Sequence, residues 1–137
     1  MLFSWHFNVY IHINMVFKTI GFIGTGLMGN PMARHLLTTG YTVNVYNRTK
    51  NKAESVLAQG GIWFDTPAML AGQSDVVITM IGFPKDVEEC YFGADGVFQG
   101  IKPGAIAIDM TTTKPSLAIR LAQHAATIGV DFIDAPV

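Results

Sequence analysis

The stretch that decides the fold is "KTIGFIGTGLMGNPMARHLLTTG", Lys18 to Gly40. Its front is a short apolar run, "KTIGFI", that reads as a strand closed by glycines. Its back, Leu27 to Thr39, sets Met28, Met32 and Leu36 on one helical face and stops at Gly40. Between them Gly24, Gly26 and Gly29 form G-x-G-x-x-G. Alone that pattern is weak; directly after a strand and directly before a helix it has the context a dinucleotide turn requires. Gly24 permits the tight turn, Gly26 lets a pyrophosphate approach the backbone, and Gly29 brings helix and strand close. The helix start then offers unpaired N–H groups and partial positive charge to phosphates.

Downstream the same alternation continues. "YTVNVY" reads as a second strand, followed by a helix near Asn51 to Gln59 that ends at Gly60 and Gly61. "GIWF" is a short third strand, and Thr66–Pro67 has the form of an N-cap and first-turn pair. "SDVVITMI", Ser74 to Ile81, is the longest apolar run and is expected to be central. Pro84 opens a helix toward Phe92, "GAIAIDM" supplies a fifth strand, and Leu117, Leu121, Ala125 and Ile128 stripe a helix stopped by Gly129. "VDFID" is the sixth strand. Strands alternating with helices predict an α/β, Rossmann-type, doubly wound and mainly parallel sheet with helices on both faces.

The 137 residues fit one ordinary domain. Half the residues are hydrophobic and only 14% are charged, which suits strands buried on both faces. A net charge of −1 argues against nucleic acid or an anionic membrane as partner. Cys90 is the single cysteine, so no internal disulfide forms, and a reducing, cytoplasmic setting fits. Residues 1–16 alternate apolar and polar side chains, too short and polar for a membrane span and without the basic start and cleavage site of a secretory signal. They are expected to be an extension outside the core, with residues 17–137 as the folded domain; a pairing or oligomerising strand is the alternative. His6 and His12 lie too far apart to define a metal site, and no metal is expected.

Ligands on such a sheet sit beyond the C-terminal strand ends. After the second strand an Asp or Glu, roughly twenty residues past the turn, ordinarily holds the ribose of NAD. Here Asn47, Arg48 and Thr49 stand instead. Arg48 can stack on adenine and pair with a 2′-phosphate, with Asn47 and Thr49 as donors, which predicts NADP(H) over NAD(H), the latter still possible. "MIGFP" brings Met80, Ile81 and Gly82 to the site, and Gly82 allows close approach. Thr111 and Thr112 can bond the nicotinamide-side ribose, or cap the next helix, as can Thr113. "FDTP" and "DAPV" also lie at strand ends.

Taken together, "GFIGTGLMGNPMARHLL", "VYNRTKNKAE", "GFPKDVEECYFG", "AIDMTTTKPSLA" and "DFIDAPV" resemble the β-hydroxyacid dehydrogenases, the 3-hydroxyisobutyrate dehydrogenase family, from about Lys18 to Val137. The related 6-phosphogluconate dehydrogenases look less similar, since their turn typically carries Ala where Gly26 stands. The resemblance implies that Gly24, Thr25, Gly26, Leu27 and Met28 hold the pyrophosphate and that Thr112 contacts the nicotinamide side. Thr111 replaces the family's usual Ser. Asp134, Ala135, Pro136 and Val137 match the start of the substrate motif, whose following Ser-Gly-Gly does not occur in these residues. The family's general acid/base lysine belongs to a later helical segment. Lys18, Lys50, Lys52, Lys85, Lys102 and Lys114 lie outside that motif. The resemblance therefore predicts the N-terminal cofactor domain of an enzyme that moves hydride between nicotinamide and a small hydroxyacid, without the C-terminal helical domain. Binding without useful turnover is expected for this chain alone; homo-oligomerisation is possible. A stand-alone nucleotide-binding or redox-sensing module is the competing expectation.

Overall fold

A computed structural model describes residues 17–137; the expectation about residues 1–16 falls outside the described residues. The elements are β1 (Thr19–Ile23), α1 (Gly29–Thr38), β2 (Thr42–Tyr46), a 3-10 turn (Lys50–Ala53) running into α2 (Glu54–Ala58), and β3 (Ile62–Trp63). They continue as α3 (Pro67–Gly72), β4 (Val76–Thr79), α4 (Pro84–Phe92), α5 (Val97–Gly100), β5 (Ile106–Asp109), α6 (Pro115–Thr127) and β6 (Asp131–Asp134).

The six strands make one sheet in the order β3-β2-β1-β4-β5-β6. Every pairing is parallel. β4 is central as expected, between β1 and β5. The chain works outward from β1 to β3, then returns to the middle at β4, leaving a switch point between β1 and β4 where strand ends diverge.

Strand side chains alternate between two apolar layers. Phe22, Val43 and Val45 pack with Ala33 of α1 and Val56 of α2 on one face. Ile23 and Val77 pack on the other with Leu70 of α3, Val87 and Tyr91 of α4, Val97 of α5 and Leu117 and Leu121 of α6. Phe22, Val43, Val45 and Val77 are fully buried, and each such side chain contributes about 1.5–3 kcal/mol. Thr66 accepts the Met69 amide at 3.1 Å and Pro67 occupies the first turn, so α3 starts as its sequence predicts.

Three local expectations are corrected. α1 begins at Gly29, not Leu27, because residues 24–28 are consumed by the turn. Met28 is therefore off the core face, half exposed, and Ala33 with the partly buried Met32, Leu36 and Leu37 packs the sheet instead. α5, inside "FGADGVFQG", has no counterpart in the expected element order; four residues between glycines carry too little periodicity to signal a helix.

Candidate functional site

The turn after β1 is built by contacts that exclude side chains. Gly24 has φ +100, a left-handed conformation, and a Cβ there would run into the Met80 carbonyl. A Cβ on Gly29 would meet the Gly24 carbonyl and the Phe22 ring. The chain is then tied to its neighbours: Gly24 N donates to Tyr46 O at 3.1 Å and Met80 N to Ile23 O at 2.9 Å. These bonds bring the ends of β1, β2 and β4 together. The first helical hydrogen bond runs from Asn30 N to Gly26 O, so amides before Asn30 have no intrahelical acceptor.

Over this turn opens a cleft of about 720 Å³. It is lined by Gly24, Gly26, Leu27, Met28 and Gly29 from the turn, by Asn47, Arg48 and Thr49 after β2, and by Met80, Ile81 and Gly82 after β4. Eleven of the residues expected from sequence thus share one cavity. Cβ atoms at Gly26 and Gly82 would meet nothing within 4 Å. Both glycines leave bare backbone facing the cleft, the shape an extended phosphate-bearing group needs. Leu27 is 93% exposed at its rim.

Other expected residues stand behind or beside the cleft. Thr25 is buried beneath the turn; its amide donates to Asn47 Oδ1 at 2.9 Å, and its Oγ1 is the one buried polar side-chain atom without a partner among the described residues. Asn47 Nδ2 donates to Thr49 O at 2.8 Å. Asn47 therefore couples the β2 end to the glycine turn, a positioning task that its residue type did not announce. Thr111 is turned inward, with Oγ1 accepting the Ile81 amide at 2.9 Å. Thr113 Oγ1 donates to Asp109 Oδ2 at 2.8 Å, and no side chain caps α6, whose N-cap is Lys114. Thr112 is exposed, as are Asp134, Pro136 and Val137. Ala135 N donates to Asp109 O and Val137 N to Met110 O, so "DAPV" runs alongside the β5 end.

Beneath this edge lies a buried polar chain. Asp109, fully buried, accepts from Thr79 Oγ1 at 2.8 Å and from the Thr111 amide at 3.1 Å. Thr79 Oγ1 also lies 3.1 Å from Tyr91 OH. Burial raises the Tyr91 hydroxyl well above its ordinary value and keeps it neutral. Cys90 lines the cleft, yet burial pushes its thiol up to about 12, with Asp109 and Glu89 adding repulsion. A thiol so raised is not a nucleophile at neutral pH.

Sequence spacing did not single out Tyr46, Lys52, Asp86, Glu89, Cys90 and residues 93–96, which also line the cleft, whereas Pro67 belongs to the "FDTP" segment expected at a strand end. Asp86, in the first turn of α4, pairs with Arg48 at 3.3 Å. Helix periodicity could have placed Asp86 at a strand-end face; nothing in one dimension pairs it with Arg48. Lys50 caps the Trp63 ring at 5.0 Å, and Lys52 is the lysine at the cleft. Among the described residues no group of three or more His, Cys, Asp or Glu could hold a metal ion, and no helix is long and apolar enough to cross a membrane.

Comparison with known proteins matches this geometry. Residues 19–137 fit the family described as the NAD binding domain of 6-phosphogluconate dehydrogenase. The chain is 55% identical over 120 residues to the protein named "Uncharacterized oxidoreductase YkwC" of Bacillus subtilis (strain 168), covering 88% of this chain and 42% of that one. It is 44% identical over 119 residues to "Probable 3-hydroxyisobutyrate dehydrogenase-like 1, mitochondrial" of Arabidopsis thaliana, covering 86% and 36%. Among solved structures, "Psf3 in complex with NADP+ and 2-OPP" superimposes with TM-score 0.81 at 32% identity, covering 86% of this chain and 42% of that one. Mycobacterium tuberculosis 3-hydroxyisobutyrate dehydrogenase with L-serine gives 0.80 at 30% identity, covering 88% and 40%. The chain thus spans less than half the length of these relatives. The turn, the sheet order and the matched span agree: the chain belongs to the NAD-binding domain family of 6-phosphogluconate dehydrogenase, among relatives that include 3-hydroxyisobutyrate dehydrogenase-like oxidoreductases.

Proposed function

We propose that residues 17–137 hold NADP(H) in preference to NAD(H) for an oxidoreductase that moves hydride between the nicotinamide and a short-chain β-hydroxyacid. The observation that carries the cofactor preference is Arg48, an exposed residue lining the cleft just after β2, where the sequence has no carboxylate. A guanidinium there pairs a 2′-phosphate and lies flat against adenine. Thr49 stands beside it. The bare backbone at Gly26 and the unpaired amides before Asn30 receive the pyrophosphate, with Met80, Ile81 and Gly82 flanking the opposite side. Bound there, the cofactor supplies the hydride chemistry. Thr112 and Asp134 to Val137 form the substrate-side edge, on the strand-end side of β5 and β6.

Cys90, the single cysteine and half-buried, suits a reducing cytoplasm. β6 is an edge strand with Ile133 46% exposed, and such an edge favours self-association; sedimentation over a range of concentrations tests it.

The deciding experiment titrates NADPH and NADH against the purified chain. Tighter NADPH binding is expected, and Arg48→Ala should weaken NADPH more than NADH. Equal losses for the two nucleotides would make Arg48 structural, and tighter NADH binding in the unaltered chain would reverse the preference.

A further inference from the structure

Arg48 and Asp86 both line the cleft, one just after β2 and the other at the start of α4, and meet at 3.3 Å. The Asp86 carboxylate stands in the first turn of α4, where the helix dipole favours a negative charge. Its side chain is 26% exposed against 78% for Arg48. The acid is therefore the fixed partner, and the guanidinium is the one that can swing. A 2′-phosphate entering beside β2 would seek the same guanidinium, so two anions would compete for one cation. Glu89 and Asp95 also line the cleft, against Lys52 as the other cation. Arg48 and Lys52 thus face three carboxylates in one cleft, a balance that disfavours an added phosphate.

We propose that Asp86 is a specificity-determining residue acting through Arg48: it holds the guanidinium in the free protein, competes with a 2′-phosphate for it, and so limits the preference for NADP(H) over NAD(H). This rests on the role given to Arg48 above. With NAD(H) no phosphate arrives at this point and the pair persists. With NADP(H) the pair must open or share its guanidinium. Exposed pairs of this kind are weak, so the effect on NADPH affinity is about two- to fivefold.

The test is equilibrium titration of unaltered chain, Asp86→Asn, Arg48→Ala and the double variant. The ligands are NADPH, NADH, adenosine 2′,5′-bisphosphate and adenosine 5′-monophosphate. Asp86→Asn should tighten NADPH and the bisphosphate by about two- to fivefold, leave NADH and the monophosphate nearly unchanged, and lose its effect as salt rises. In the Arg48→Ala background the same substitution should gain less, the coupling read from the double-mutant cycle. Unchanged or weakened NADPH binding in Asp86→Asn, parallel changes for all four ligands, or an equal gain without Arg48 would each overturn the proposal. Whether the unaltered chain prefers NADPH decides the cofactor assignment separately, since Asp86 is judged only by the response to its own substitution.

Discussion

A methyl group added at Gly29 would meet the Gly24 carbonyl and the Phe22 ring, whereas one at Gly26 would meet nothing within 4 Å. Two glycines of one motif therefore do separate jobs, one for the fold and one for the ligand. Gly29→Ala should cost about 1–3 kcal/mol through overpacking and lower Tm by several degrees. Gly26→Ala should leave stability within about 0.5 kcal/mol yet weaken NADPH tenfold or more. Urea unfolding beside nucleotide titration checks both, and the reverse pattern would contradict the division. Cys90 gives a residue-scale test in pH. Its thiol is raised from an ordinary 9.0 to about 12, so the folded chain holds this proton more tightly than the unfolded chain. No penalty applies below pH 9.0; stability is lost as pH rises toward about 12. Cys90→Ala should flatten that loss in unfolding measurements across this window, while the similarly raised Tyr91 leaves a residual slope.

The ends of β4 and β5 are joined by their ladder and also by a polar chain from Tyr91 through Thr79 to Asp109, Thr111 and Ile81. Asp109 is a fully buried acid without an ion-pair partner among the described residues, held by the Thr79 and Thr113 hydroxyls and the Thr111 amide. Removing one link leaves buried polar atoms unpaired. Thr79→Val keeps the shape but strips the hydroxyl from Asp109 and Tyr91. It should cost about 1–3 kcal/mol in denaturant unfolding, and a change indistinguishable from zero would show that the chain is not continuous. This element-scale link explains why Thr111 faces inward. In sequence it is one of three successive threonines, each able to cap or to contact a ligand; only packing assigns Thr111 to Ile81 and Thr113 to Asp109.

At the scale of the molecule, three strand ends and the start of α1 form one surface, so a ligand that spans it ties the two halves of the sheet together. A nucleotide that binds only the folded chain stabilises it by mass action, by about 2.7 kcal/mol at a hundredfold excess over Kd. NADPH should therefore raise Tm in a concentration-dependent scan, more than equimolar NADH. Identical shifts would argue against a preference, and no shift with either nucleotide would argue against binding by this chain.

Local pattern was enough for the strand-turn-helix around Gly24, for the central place of Ser74 to Ile81 and for the parallel α/β class, because these depend on periodicity, glycine spacing and the handedness of crossovers. It also named eleven residues that line the cleft, since strand ends and their loops converge in this topology. It was silent on contacts between segments distant in the chain. Asp86 reaching Arg48, Asn47 clasping the Thr25 amide, the four-residue α5 and the inward turn of Thr111 arise only when the sheet brings their elements together. One-dimensional pattern records which way a side chain faces within its own element. Which partner it finds across the cleft is set by packing, and that only the tertiary structure decides.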